Sequence, residues 1–167
     1  MKDLLSLPAS ADRGFTLLEL LAVMAIVAIL AGLAVPGMRN MIATGKVVSE
    51  RDTLADAVRL ARSEAILREQ FVQLCASEDG VDCGGDFSDG WIVIERPSDE
   101  VIEMQLRDMD DVQYVGDFAG VAFDASGVAN TGGGSELSIC ATGGDAKGRG
   151  FSLTASGALS LDNNVEC

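Results

Sequence analysis

Residues 15–35 form a run of 21 residues that is apolar except for Thr16 and Glu19, set behind the polar start MKDLLSLPASADRG. As a helix rising about 1.5 Å per residue, such a run is about 32 Å long, which matches a bilayer core of about 30 Å. The segment is long and apolar enough to span a membrane. A secretory signal peptide would follow a basic start with a shorter apolar region and end on small residues at a cleavage site. Ala31-Gly32-Leu33-Ala34 imitates such an end, but two features argue against it: the polar leader closes on Gly14, and a carboxylate lies five residues beyond that glycine, inside the apolar run.

Glu19 is the informative residue. A lone carboxylate in a spanning helix costs about 2.5 to 3.5 kcal/mol at the bilayer centre and is rare without a partner. Cleavage after Gly14 would create an α-amine on Phe15, four residues before Glu19. That amine, from the same chain or from a neighbour, would neutralise the carboxylate within a bundle of helices. The chemistry predicts self-association.

The stretch Gly14-Phe15-Thr16-Leu17-Leu18-Glu19-Leu20-Leu21, followed by the apolar run and then Pro36, resembles the class III signal and N-terminal helix of type IV prepilins and type II secretion pseudopilins. The resemblance implies that a prepilin peptidase cuts between Gly14 and Phe15 and methylates the new amine of Phe15. It also implies that Glu19 pairs with the Phe15 amine of an adjacent subunit during assembly. Pro36 removes one helical hydrogen bond and is expected to kink or locally melt the helix. The expected organisation is a leader at 1–14, a transmembrane and polymerisation helix at 15–35, an amphipathic helical half at 36–70 and a β-rich head at 71–167.

Charge is distributed unevenly. From Glu78 to the C-terminus there are 18 Asp and Glu against Arg96, Arg107, Lys147 and Arg149, so this part alone carries the formal net charge of −14, and the first 77 residues are neutral overall. An acidic surface repels phosphate backbones, which disfavours nucleic acid as a partner. The chain has no His, and no nucleophile–base pair, phosphate loop or metal constellation stands out, so the reading is of a non-enzyme without cofactor or metal. Cys75, Cys83, Cys140 and Cys167 are even in number and form no CxxC, which favours two disulfides, and therefore an oxidising compartment, over zinc.

Between Met38 and Gln70 the apolar residues Val47, Leu54, Val58, Ala61 and Ala65 mark one face of a helix. Arg51, Arg59, Arg62 and Arg68 alternate with Glu50, Asp52, Asp56, Glu64 and Glu69, a mixed pattern suited to a solvated face. Gly32 and Gly45 fall within the helical pattern and weaken it by about 1 kcal/mol each relative to alanine. Beyond Gln70 come six short β-rich runs, at 71–75, 91–94, 101–106, 120–123, 136–140 and 150–154. They are separated by turn signals such as Asp79-Gly80, Asp89-Gly90, Ser126-Gly127 and Ser156-Gly157. The expected fold is α+β, with a long N-terminal helix, membrane-spanning in its first half, packed on an antiparallel β-sheet head.

The stretches Ala61-Arg62-Ser63-Glu64-Ala65, Val72-Gln73-Leu74-Cys75-Ala76-Ser77 and Asp89-Gly90-Trp91-Ile92-Val93 are similar to the FimT/FimU group within the GspH/FimT family of minor pilins. Trp91 reads as a core anchor. Some FimT proteins bind DNA through a C-terminal GRxR stretch, but the corresponding hairpin here is Gly157-Ala158-Leu159-Ser160, without either arginine, and the nearest cations are Lys147 and Arg149. Related major pseudopilins bind calcium, yet Asp108, Asp110 and Asp111 lack the spacing and glycine of a calcium loop and read as a solvated turn. Of the three possible disulfide connectivities, Cys75 with Cys83 and Cys140 with Cys167 is preferred.

The resemblance thus implies a minor pilin of a type IV pilus that helps to initiate fibre assembly and is placed at the tip. The partners would be other minor and major pilins, prepilin peptidase and the bacterial inner membrane, with the head in the periplasm and then in the fibre. The alternatives are a GspH-type minor pseudopilin of a type II secretion system and a FimT-like DNA-uptake pilin, the latter disfavoured by the missing GRxR and the acidic head. A head that binds a surface receptor is a further reading of the binding class.

Overall fold

The computed structural model describes residues 15–107, 111–132, 134–142 and 148–167. Two units are distinguished, Met1–Met38 and Arg39–Cys167. Among the described residues, one helix, α1 (Leu17–Arg68), is followed by nine strands. These are β1 (Phe71–Ala76), β2 (Gly90–Arg96), β3 (Val101–Leu106), β4 (Val112–Gly116), β5 (Val121–Phe123), β6 (Ala129–Asn130), β7 (Glu136–Ala141), β8 (Gly148–Leu153) and β9 (Leu159–Val165). The helix runs continuously through the position of Pro36. Its C-terminus closes on Glu69, which takes the left-handed conformation at φ 55°, while the Gln70 N–H bonds the Ala65 carbonyl at 3.3 Å. This is the pattern of a Schellman cap.

In the second unit the strands form two antiparallel sheets rather than one. The first has the order β3-β2-β1-β5-β6 and the second β4-β7-β8-β9. Val47, Leu54, Val58, Ala61 and Ala65, the residues of the expected stripe, are all buried, together with Ala55 and Ala57. Small residues at this face let the sheets approach the helix closely. The main core joins Leu54, Val58 and Ala61 to Leu74, Trp91, Val93 and Phe123 of the first sheet and to Leu137, Phe151 and Leu153 of the second. Trp91 is 1% exposed, a core anchor whose indole N–H has no hydrogen-bond partner among the described residues.

Strand alternation explains why β2 is apolar without a break. Trp91 and Val93 face the helix side, whereas Ile92 and Ile94 join Cys75, Cys83 and Val101 in a second cluster on the opposite face. With both faces covered, the run Trp91-Ile92-Val93-Ile94 is wholly buried.

The solvated-face reading of the helix fails at two positions. Glu50 and Arg51 are each only 6% exposed. Arg51 reaches β9, where it donates to the Asp162 carbonyl at 3.4 Å and to Asn163 Oδ1 at 2.5 Å. Glu50 pairs with Arg107. A charge on an otherwise polar helical face becomes internal when the second sheet folds over it.

Candidate assembly site

The site expected from sequence begins at Phe15, since Gly14 and the rest of the leader lie outside the described residues. Thr16 caps α1: its Oγ1 accepts the Glu19 N–H at 3.2 Å, and its carbonyl accepts the Leu20 N–H at 3.1 Å. Thr16-Leu17-Leu18-Glu19 has the spacing of a capping box, a signal present in the sequence that assigns Thr16 a role beside Glu19. The helix therefore starts one residue after the expected cleavage product's second residue, with a carboxylate in its first turn where the helix dipole favours negative charge.

Among the described residues of the first unit, none is buried. Phe15 is 82% exposed, Leu18 79% and Ile29 65%, and none of the most apolar 18-residue window, of mean hydropathy 2.6, is buried within the chain. A surface of that size and apolarity is stable only when covered by lipid or by other helices. Glu19 is exposed and is the one charged residue between Phe15 and Met38. Gly32 and Gly45 have nothing within 4 Å of an added Cβ, so neither serves packing inside the chain.

In the second unit, Cys75 bonds Cys83 with Cα atoms 5.6 Å apart, and Cys140 bonds Cys167 with Cα atoms 5.8 Å apart. The first bridge ties Cys83 to β1 and seats it on the outer-face cluster of Ile92 and Ile94. The second ties the last residue of the chain to β7. Asp111 forms an ion pair with Lys46, whereas Asp108, Asp110 and Lys147 lie outside the described residues. No group of three or more His, Cys, Asp or Glu able to hold a metal occurs among the described residues.

Several acidic side chains of the head serve its turns. The Asp79 carboxylate is held below its usual range by the N–H groups of Asp82 and Val81, and Asp117 by those of Glu136 and Ser135. Arg68 is held above its ordinary value by hydrogen bonds to Glu64 and Glu95, with Glu100 adding a further charge. The turn Gly157-Ala158 between β8 and β9 carries no arginine, but the α1 residue Arg62 bonds the Gly157 carbonyl at 3.0 Å.

The family described as Type II transport protein GspH matches residues 50–157, and the Prokaryotic N-terminal methylation motif matches residues 9–35. No curated protein sequence matches the chain. Among solved structures, the fold is similar to that of the type IV minor pilin FimU of Pseudomonas aeruginosa strain PAO1, seen in two crystal forms. The P21 form is 18% identical with a TM-score of 0.57, over 71% of this chain and 90% of that one. The P65 form is 20% identical with a TM-score of 0.53, over 69% and 91%. The minor pseudopilin EpsH from the Type 2 Secretion System of Vibrio cholerae aligns at 16% identity and a TM-score of 0.47, over 68% and 93%. A head that matches GspH over more than half of the chain, behind a methylation motif on an uncovered apolar helix, shows that this chain belongs to the GspH family of type IV pilin-like proteins.

Proposed function

We propose that the chain is a minor pilin of a type IV pilus, cut between Gly14 and Phe15, methylated on the Phe15 amine and joined to neighbouring pilins through its N-terminal helix. The observation that carries this reading is the capped, uncovered apolar helix whose one charge before Arg39 is Glu19. Pairing Glu19 with a neighbour's Phe15 amine removes the cost of a carboxylate in lipid and couples membrane release to assembly. Pro36 would let the apolar half adjust to its neighbours as the subunit leaves the bilayer. The helix holds the chain in the inner membrane and the disulfide-linked head lies in the oxidising periplasm. The role is structural, in keeping with a family of assembly subunits rather than enzymes.

A second reading, a GspH-type pseudopilin of a type II secretion system, is favoured by the description of the matching family. The two predict different losses on deletion of the gene: surface fibres in one case, secretion of folded periplasmic proteins in the other. Intact mass of the chain recovered from membranes of a host with its prepilin peptidase tests what both share. The expected mass begins at methylated Phe15, and Glu19→Ala is expected to lose co-purifying pilin subunits. An uncut chain, or one cut near Ala34, would overturn the assembly role.

A further inference from the structure

Beside the main core, α1 and the β8–β9 turn enclose an open groove of about 480 Å³. Val58, Arg59, Arg62, Ser63 and Ile66 of α1 line one side, and residues 157–159 line the other. Two turn glycines, one from each sheet, close on Arg62. An added Cβ at Gly157 would lie 3.2 Å from Arg62 Cζ, and one at Gly127 would lie 3.1 Å from Arg62 Nε; both glycines have φ of +76°. Arg62 is thereby fixed against backbone, and its one hydrogen bond among the described residues is the one to the Gly157 carbonyl. A guanidinium has five N–H donors, so most of its capacity is left over.

Arg59 stands at the rim. It pairs with Asp56 at 2.6 Å, but the two side chains are 53% and 73% exposed. Such a pair contributes little and exchanges readily for another carboxylate. Ile66, 49% exposed, provides an apolar wall next to the two arginines. Among the described residues, no Asp or Glu lines the groove, although the chain carries a net charge of −14.

We propose that this groove receives a head segment of a neighbouring, non-identical pilin-type subunit, one that presents an apolar side chain next to a carboxylate. Charge selects the occupant on two scales. Locally, two arginines flanking an apolar wall match a carboxylate beside an apolar residue. Globally, the −14 carried by residues 78–167 opposes docking of a second copy of the same head. The inference rests on the assembly role proposed above.

The test places a photo-crosslinking amino acid at Ser63 of the full-length chain, in a host that assembles it, with the same amino acid at Ile26 of the apolar helix as reference. Cross-linked peptides are mapped by mass spectrometry. The expected Ser63 adduct is a head segment of a different pilin-type subunit, with Asp or Glu beside an apolar residue. Its yield should fall at least about tenfold in Arg59→Glu, where like charges would face each other, and persist in Arg59→Lys. The proposal is overturned by a Ser63 adduct to a second copy, to lipid, to nucleic acid or to a segment without carboxylates. It is equally overturned by an unchanged yield in Arg59→Glu, or by no Ser63 adduct, while Ile26 still captures subunits. If neither position captures a pilin-type subunit, the assembly role itself falls, and this inference with it.

Discussion

Arg107, the residue after β3, forms an ion pair with Glu50 of α1 in which the two side chains are only 2% and 8% exposed. Tyr114 of β4 donates its hydroxyl to the same carboxylate at 3.2 Å, and the guanidinium lies 5.6 Å from the Tyr114 ring centroid. One buried carboxylate thus links the helix to an edge of each sheet. Burial lowers the Arg107 pKa from its ordinary value, and the Glu50 charge opposes that shift.

Glu50→Gln should therefore cost far more than a surface substitution. It leaves Arg107 as an uncompensated buried charge, a loss of about 3 to 5 kcal/mol. Replacing both partners together, Glu50→Leu with Arg107→Met, should cost clearly less than Glu50→Gln alone, because no buried charge remains. Denaturant unfolding followed by Trp91 fluorescence in detergent compares the two. Equal losses would show that the pair matters only for packing.

The C-terminal strand depends on fastening rather than on a core. In β9, Ser160 to Asn164 are all exposed, so apolar burial holds this edge strand only weakly. Its anchors are the bonds from Arg51 to Asp162 and Asn163 and the Cys140–Cys167 bridge. Cys140→Ser with Cys167→Ser should destabilise the head by about 2 to 4 kcal/mol on chain-entropy grounds. Amide exchange should show β9 losing protection before β7 and β8. Removing Cys75–Cys83, which spans 8 residues rather than 27, should cost less.

Gly90, the first residue of β2, tests how strictly the entry to that strand constrains sequence. Its φ is +151°, and an added Cβ would lie 2.5 Å from the Gln105 carbonyl oxygen of the paired strand. Gly90→Ala therefore combines backbone strain of about 1 to 3 kcal/mol with a main-chain clash. Unfolding midpoints should drop well beyond those of Gly32→Ala, where the added Cβ meets nothing within 4 Å.

The parts of the fold legible in the sequence are those where one physical signal dominates. The apolar run from Phe15 and the stripe Val47, Leu54, Val58, Ala61 and Ala65 follow from helical spacing, and β1, β2 and β3 follow from dense β-formers between turn residues. Three strands escape that reading for different reasons. β4 begins directly after an acidic stretch that reads as a turn, β6 has two residues, and β9 is Leu-Ser-Leu-Asp-Asn-Asn-Val, rich in residues that avoid strands. Without them the division into two sheets is not visible. Glu50 and Arg51 share one lesson: alternating charge along α1 looks solvated until β4 and β9 cover it, a tertiary event with no local signature.

Acid titration separates turn carboxylates from the general charge of the head. Asp79, Asp117 and Asp124 all titrate below the ordinary value of 3.8, Asp124 through the Ser126 hydroxyl and the Val128 N–H. A depressed folded pKa contributes stability above the unfolded value, and that contribution is lost as pH falls through the folded one. The net charge of the chain acts in the opposite sense, because reducing a charge of −14 relieves self-repulsion on approach to the pI of about 4.1. A pH series on the wild-type chain alone would mix the two. The difference between wild type and Asp117→Asn cancels the shared repulsion. It should favour wild type steadily above pH 4 and shrink as the pH is lowered below 3.8, since protonated Asp117 can no longer offer a charged acceptor to the Glu136 and Ser135 N–H groups. A difference that stays constant down to pH 2 would mean that the turn is held by shape and not by the charge of Asp117.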